Sequence, residues 1–533
     1  MNIYHFHKKN ILWHKFCTLT VTIALSFMPY FLYPVFMMTE YAIIPQPQSI
    51  QYRQGSFQCT GIPRIAAGDQ DFHSEAQVFT GQIAKTFGNP NGAEHIHLLK
   101  TDSPAGAEAY RLEITGKEIR ISAAGGTGAF RGLQVLRQLI LSGYHDGELV
   151  IPCGIIEDAP RFSWRGLMLD SSRNFFSVEF IKKLLDALSL QHINIFHWHL
   201  TDDQGWRFPV KQYPLLTEIG SKRYDNRIYR YVGGFYTETE IRDIVSYAAE
   251  RHIEVVPEVD LPGHASAILA AYPGLGCTGG PYRVEDRCGI FEDVLCAGND
   301  DIFPLAEAVF DTLAELFPSA YVHIGGDEVR FNHWKKCPKC QKRLADLGLS
   351  EPPQLQSWIT SRLAEMLRKR GKAAIGWDEI LENTELFPLP DDVIVQSWRG
   401  EGGGSKAAAL GRRVIMSPQT NGCYLDYRHA DLPDEIGRLG IGTITQGFNL
   451  NPVTPEMDEK AALLVLGGQG NCWAENIYAG KIAEYMIFPR ICAIGEALWS
   501  ARKDRDINEF AKRLTVHQNR LDKLDLLQYR GPL

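Results

Sequence analysis

The run His323-Ile324-Gly325-Gly326-Asp327-Glu328 sets two adjacent carboxylates behind a short apolar stretch and a glycine pair. An apolar run that stops at glycines predicts a strand end where a ligand can approach the backbone closely. Adjacent carboxylates repel, so one of the two tends to keep its proton near neutral pH. A protonated carboxylic acid beside an ionised one is the pairing that cleavage of a glycosidic bond requires. A solvated Asp-Glu pair opening a helix is the plain alternative, and the rest of the chain must decide between them.

Such groups need a scaffold. Beyond Asp158-Ala159-Pro160-Arg161, short apolar runs at 166–169, 193–199, 253–259, 321–324, 373–377, 393–398, 414–417 and 463–467 alternate with helical patterns such as 178–190, 238–251 and 355–370. Eight strand–helix units over roughly 340 residues predict a (β/α)8 barrel with insertions. Strands that are apolar throughout suit a parallel barrel, in which both faces are buried. The barrel is placed at 160–505, with a C-terminal helical tail at 506–533. Before it, 44–158 reads as a small α+β domain. There 110–114 and 119–123 alternate like strands, and Phe130, Leu133, Leu136, Leu139 and Ile140 follow helical spacing.

A barrel enzyme carries its chemistry at the C-terminal ends of its strands. Those ends supply, in order, Asp170 and Arg173; His197, Trp198, His199, Asp202 and Asp203; Glu258, Asp260 and Pro262-Gly263-His264; Asp327 and Glu328; Trp377, Asp378 and Glu379; Gln396 and Trp398; Tyr424 and Asp426; and Gln469, Asn471, Trp473 and Glu475. Any one of these reads readily as a core Trp, a bonded His or a capping Asp. Eight such ends in one chain point to a site.

The stretches Arg165-Gly166-Leu167-Met168-Leu169-Asp170-Ser171-Ser172-Arg173, HWHLTDDQGWR from His197 to Arg207, Pro262-Gly263-His264 and HIGGDE resemble family 20 glycoside hydrolases, the β-N-acetylhexosaminidases. The likeness runs over about residues 44 to 500, and the small domain resembles that family's non-catalytic N-terminal domain. It implies an exo-acting enzyme that removes terminal β-linked GlcNAc or GalNAc, with no cofactor and no metal in the site. By that resemblance Glu328 is the acid and base, and Asp327 accepts from the acetamido N–H. Tyr424 donates to the acetamido oxygen, and Trp377, Trp398 and Trp473 wall the sugar. Arg173, Asp426 and Glu475 bind hydroxyls at the closed end. Asp202 and His264 orient Glu328, with His199 joining them.

Physical reasoning supports the mechanism so implied. Conventional glycosidases hold two carboxyl groups about 5–9.5 Å apart across the sugar. Sequence neighbours such as Asp327 and Glu328 do not readily straddle a ring in this way. A nucleophile supplied by the substrate's own 2-acetamido group removes the difficulty and gives an oxazolinium intermediate with retained configuration. Two other readings stay open on the residues alone. One is a metal-dependent barrel hydrolase using His197, His199, His264, His323 and Asp202. The other is a glycan-binding barrel without catalysis. A disaccharide-releasing variant also fits, because loops set pocket depth, and the loop from Pro273 to Asp300 is expected on the aglycone side.

Composition narrows the partners. In 533 residues, 45% are hydrophobic and 22% charged, an ordinary globular balance. A net charge of −8 without a basic block argues against nucleic acid. Aromatics at 11%, with ten Trp, suit stacking on sugar rings. Lys8, Lys9 and Lys15 precede an uncharged run of about 24 residues, 16–39, which reads as a leader over 1–40. It is either a cleaved export signal or a retained membrane anchor, so a periplasmic, cell-surface or secreted protein is expected. Pro29 and Pro34 interrupt the run, and Met37 or Met38 is an alternative start. Cys277, Cys288 and Cys296 share one Gly-rich loop, where an oxidising compartment permits a disulfide. Cys337-Pro-Lys-Cys340 is a lone CxxC; with no second pair or His at finger spacing it reads as structural or free thiols rather than zinc.

Overall fold

Alternating burial in Tyr110–Ile114 and Ile119–Ala123 makes these strands an antiparallel pair at the centre of a seven-stranded sheet. The sheet runs Ser49–Thr60, Glu148–Asp158, Tyr110–Ile114, Ile119–Ala123, Glu94–Lys100, Arg64–Ile65, and Tyr144–His145 pairs onto Glu148–Asp158. The computed structural model describes residues 40–66, 70–102, 106–226 and 229–533. The leader expected over 1–40 therefore lies, but for its last residue, outside the described residues. Among those described, no helix is long and apolar enough to cross a membrane.

The helix Gly126–Gly143 follows from the spacing noted above, and its apolar face (Leu133, Leu136, Leu139, Ile140) is fully buried. Its polar face is buried too, which hydropathy alone does not foretell. Arg137 donates to Asp186 on the barrel helix Val178–Leu190 at 3.1 Å, and Gln138 donates to the Leu190 carbonyl at 3.1 Å. Arg131 and the barrel's Arg165 both grip Glu108, at 3.0 and 2.6 Å. Burial opposes that carboxylate, but the two guanidinium groups hold it at about 2. The helix Ile507–Lys523 closes the assembly. Its Arg513 bonds Glu496 at 2.6 Å and the Ile43 carbonyl at 2.8 Å, and its Arg520 bonds the Ala42 carbonyl at 2.6 Å and Ser142 at 2.7 Å.

The barrel is closed. Its eight parallel strands are Trp164–Asp170, Ile195–His199, Glu254–Glu258, Tyr321–His323, Ala373–Trp377, Ile394–Ser397, Val414–Met416 and Val465–Cys472. Trp164, Ile195, Val256, Ile375, Ile394 and Ile415 fill its lower interior. Above them the lining turns polar, and Gln469 bonds both His197 at 2.9 Å and Asn471 at 3.0 Å. The register aligns Asp170 with His199, His199 with Glu258 and Glu258 with His323, so one level at the strand ends carries four ionisable side chains.

Seven of the eight apolar runs coincide with a strand. The last differs. The strand begins at Val465 and runs on through Gly467-Gly468-Gln469-Gly470-Asn471-Cys472, while Leu463 is exposed beyond a short helix, Glu459–Ala462. The glycine-rich composition hides this strand because its neighbours press close: a Cβ on Gly467 would lie 2.0 Å from the Trp164 carbonyl oxygen.

Candidate active site

The glycines of HIGGDE act as the spacing suggests. Gly325 and Gly326 have φ of +65° and +94°. A Cβ on Gly325 would sit 1.8 Å from Asp260 Oδ1, while the Gly326 N–H donates to that same oxygen at 2.9 Å. The turn delivers Asp327 inward and Glu328 outward. Glu328 itself has φ of +54°, a left-handed conformation costly for a residue with a Cβ. Its side chain is 29% exposed, against 11% for Asp327.

Burial, then the neighbouring Asp260, pushes the Asp327 carboxyl well above the usual range. Asp260 is raised as well, to about 6, by burial first. The proton expected on one of the adjacent acids is therefore favoured on Asp327, which shares a hydrogen bond with Asp260, rather than being set by the Asp327–Glu328 pair alone. Asp327 Oδ1 is buried without a hydrogen-bond partner.

His264 stands behind both acids. Its Nε2 lies 3.6 Å from Glu328 and 3.8 Å from Asp327, and its Nδ1 lies 3.2 Å from Asp202 and 3.0 Å from Asp203. Burial works against a charged ring here, but Asp202 and the hydrogen bonds to Asp202 and Asp203 hold His264 protonated well above the ordinary histidine range. Asp202 reaches Glu328 only through His264. Its other oxygen takes Arg173 at 2.8 Å and His199 Nε2 at 2.9 Å. Despite burial, Arg173 and His264 keep Asp202 ionised far below the usual carboxylate range.

Beneath lies a cluster whose centre the sequence did not single out. Glu258 bonds His199 at 2.5 Å and the Trp377 indole N–H at 3.0 Å, and it lies 2.9 Å from both His197 Nε2 and His323 Nδ1. Burial would raise Glu258, yet His199 and its neighbours hold it low. Burial pushes His197 down to about 4, whereas Glu258 and Asp202 overcome burial and hold His199 high. The five ligands of the metal-hydrolase reading thus fall into separate groups. His197, His199 and His323 gather on Glu258, and His264 turns to Asp202 and Asp203. Three donor sets here converge within 4.8 Å: His197–Glu258–His323, Asp202–Asp203–His264 and Asp260–His264–Asp327.

The aromatic residues come together as a cup. Met168, Trp377, Tyr424 and Trp473 form one apolar cluster, with Trp398 and Tyr427 against it. Trp398 stacks on Tyr424 at 6.3 Å and 13°, and Trp377 packs on Trp473 at 5.8 Å. Trp398 is pinned by its indole N–H to Glu379 at 2.8 Å, and burial, then Asp327, raises Glu379 to about 8. Burial also raises the Tyr424 phenol, so it stays a donor.

At the cup's other end Arg173 lies 5.0 Å from the Trp473 ring centroid. It is held by Asp170 at 3.3 Å, Asp202 at 2.8 Å and Gln204 at 3.0 Å. Asp426 and Glu475 meet across Arg438, at 2.8 and 3.9 Å, and burial raises Asp426 to about 7. All twelve residues singled out from the sequence thus border one cup or its support. Glu258, Glu379, Asp203 and Arg438 join them. Glu258 and Glu379 stood at strand ends, the one available signal. Arg438 comes from a loop strand, Arg438–Ile441, with no local pattern.

Known families and structures match this chain across both of its domains. The model of the glycosyl hydrolase family 20 catalytic domain matches residues 162–502, and that of the family's domain 2 matches residues 40–159. A β-hexosaminidase of Porphyromonas gingivalis is 38% identical over 508 residues, covering 92% of this chain and 64% of its own length, so the chain spans just under two thirds of that relative. A β-hexosaminidase of Akkermansia muciniphila is 32% identical, covering 93% of this chain and 92% of its own. Among solved structures, an exo-β-N-acetylglucosaminidase of Vibrio harveyi in complex with N-acetylglucosamine aligns with a TM-score of 0.84 at 30% identity, over 92% of this chain and 78% of that one.

Proposed function

The chain belongs to glycosyl hydrolase family 20, and we propose that it is an exo-acting β-N-acetylhexosaminidase, releasing terminal β-linked GlcNAc or GalNAc from oligosaccharides by a retaining, substrate-assisted route. The observation that carries this reading is Asp327 Oδ1: a buried acceptor without a partner, next to Glu328, at a cup walled by Trp377, Tyr424 and Trp473. An acetamido group seated there gives its N–H to Asp327 and takes the Tyr424 hydroxyl on its oxygen. The N–H donated to Asp327 favours the ionised carboxylate, which then balances the charge that develops as the amide oxygen closes on the anomeric carbon. The indole walls hold the acetamide in attack position. Glu328 protonates the departing glycosidic oxygen and later takes a proton from water. The cation on His264, 3.6 Å from Glu328, steadies that carboxylate once its proton has gone.

Arg173, Asp426 and Glu475 bind sugar hydroxyls at the closed end. The Asp170–Asp202–Gln204 cradle fixes the Arg173 fork in one orientation, a geometry that lysine cannot reproduce.

The test is a panel of aryl glycosides. Turnover of N-acetylglucosaminide or N-acetylgalactosaminide with retained anomeric configuration is expected, with strong inhibition by a thiazoline analogue of the cyclic intermediate. Equal turnover of a plain glucoside, or an inverted product, overturns the reading.

A further inference from the structure

The CxxC that stands alone in the sequence is not alone in space. Cys277 and Cys296, from the loop that follows the third barrel strand, meet Cys337 and Cys340, from the segment that follows the Asp327–Glu328 turn. The four sulfurs lie within 4.8 Å of one another. The separations are 3.7 Å for Cys277–Cys340, 3.8 Å for Cys296–Cys337 and 3.5 Å for Cys296–Cys340. Cys288, in the same loop, is exposed and stands outside the group.

The distances separate two chemistries. A disulfide brings its sulfurs to about 2.05 Å and sorts four cysteines into two couples. Here Cys296 and Cys340 each face two partners at similar range, so no couples form. Four thiolates around a tetrahedral zinc ion, with Zn–S bonds of about 2.3 Å, place their sulfurs about 3.8 Å apart. We propose that Cys277, Cys296, Cys337 and Cys340 bind one structural zinc ion as a closed four-thiolate site.

The surroundings suit that charge. Cys337 and Pro338 open the helix Pro338–Asp346, whose N-terminal end favours a thiolate at Cys340. Lys335 and Lys336 precede the CxxC and Lys339 lies within it, a local positive charge opposite in sign to a zinc tetrathiolate. The backbones are built to meet: a Cβ on Gly298 would lie 2.1 Å from the Lys339 carbonyl carbon.

The site would tie together the two loops that carry the proton machinery. Leu295, next to Cys296, donates its N–H to the Pro262 carbonyl at 3.1 Å, directly behind His264. Trp334 bridges the same loops through its indole N–H to the Leu295 carbonyl at 2.9 Å. Glu328 lies nine residues before Cys337 on the other loop. The ion is a staple that keeps His264 and Glu328 in register, remote from the sugar.

Metal analysis of the full chain, purified without chelator, tests this. We expect one zinc per chain and thiols that remain reduced. Cys296→Ser and Cys340→Ser should each lower zinc about tenfold or more, while Cys288→Ser keeps it. A protein free of zinc, or an unreduced mass lighter by about four hydrogens as two disulfides require, overturns the proposal, and so does zinc retained in both Ser variants. If those variants do not fold, cobalt exchanged into the wild-type protein under reducing conditions decides instead. Intense thiolate-to-cobalt absorption with tetrahedral visible bands supports the site, and octahedral, weak bands overturn it.

Discussion

The floor of the site and its rim are built on opposite plans. In the floor, Glu258 takes His197, His199, His323 and Trp377 at 2.5–3.0 Å, all fully or almost fully buried. At the rim, Asp327 and Glu328 stand 3.8 and 3.6 Å from His264, on a turn where Gly325, Gly326 and Glu328 have positive φ, and one acid oxygen of Asp327 has no partner. A fully buried charge network centred on one carboxylate fixes positions but cannot give up a proton cheaply. A loosely bonded pair on strained backbone can. On the function proposed above, the difference assigns geometry to the floor and proton transfer to the rim.

Variants can break that division. Glu328→Gln should cost the most, about 10³–10⁴-fold in kcat/KM on substrates with poor leaving groups, and far less on activated aryl glycosides. Equal losses across leaving groups would remove Glu328 from the acid role. Asp327→Asn should lose about 10²–10³-fold on every substrate, because holding the acetamide matters whatever leaves. A loss that follows leaving-group ability would blur the two rim residues into one function.

Glu258→Gln sharpens the other side. It removes one of the two carboxylates that hold the charged His199, leaving only Asp202, and should cost about 3–5 kcal/mol of stability in urea unfolding. An unchanged unfolding midpoint with activity lost as in Glu328→Gln would make the floor catalytic and sink the comparison. The smallest effect belongs to Glu379→Gln. Glu379 is raised from 4.5 to about 8 in the fold, so the protonated form is the one the folded state prefers. Its contribution is full below the unfolded value and is lost as pH rises from about 4.5 towards 8. Relative to wild type, Glu379→Gln should thus gain melting temperature between pH 5 and pH 8, and a gain that shrinks over that window would refute the assignment.

The rim and the cup were legible in the sequence because their residues travel in long motifs at strand ends. HIGGDE, HWHLTDDQGWR and Pro262-Gly263-His264 each carry their own turn chemistry. Barrel strands showed as apolar runs except the last, where glycines replace side chains to admit Trp164. Glu258 was visible only as one acid among several, since nothing local says that three histidines from other strands converge on it. Arg438 offered no pattern at all, because its partners Asp426 and Glu475 come from either side of a long loop. The meeting of the four cysteines was hidden for the same reason: the intervals between 277, 296 and 337 match no finger spacing, and only folding brings the second pair to the CxxC.

The helix Gly126–Gly143 has a further consequence. Its polar edge is mortised into the barrel through Arg131 to the His252 carbonyl, Gln134 to Ser189, Arg137 to Asp186 and Gln138 to the Leu190 carbonyl, and Asp186 answers both Arg137 and the barrel's own Arg251. A barrel cut loose at residue 160 would bare Asp186 and Arg165 to water with half their partners gone. The small domain is therefore part of the barrel's own structural support rather than a tethered appendage.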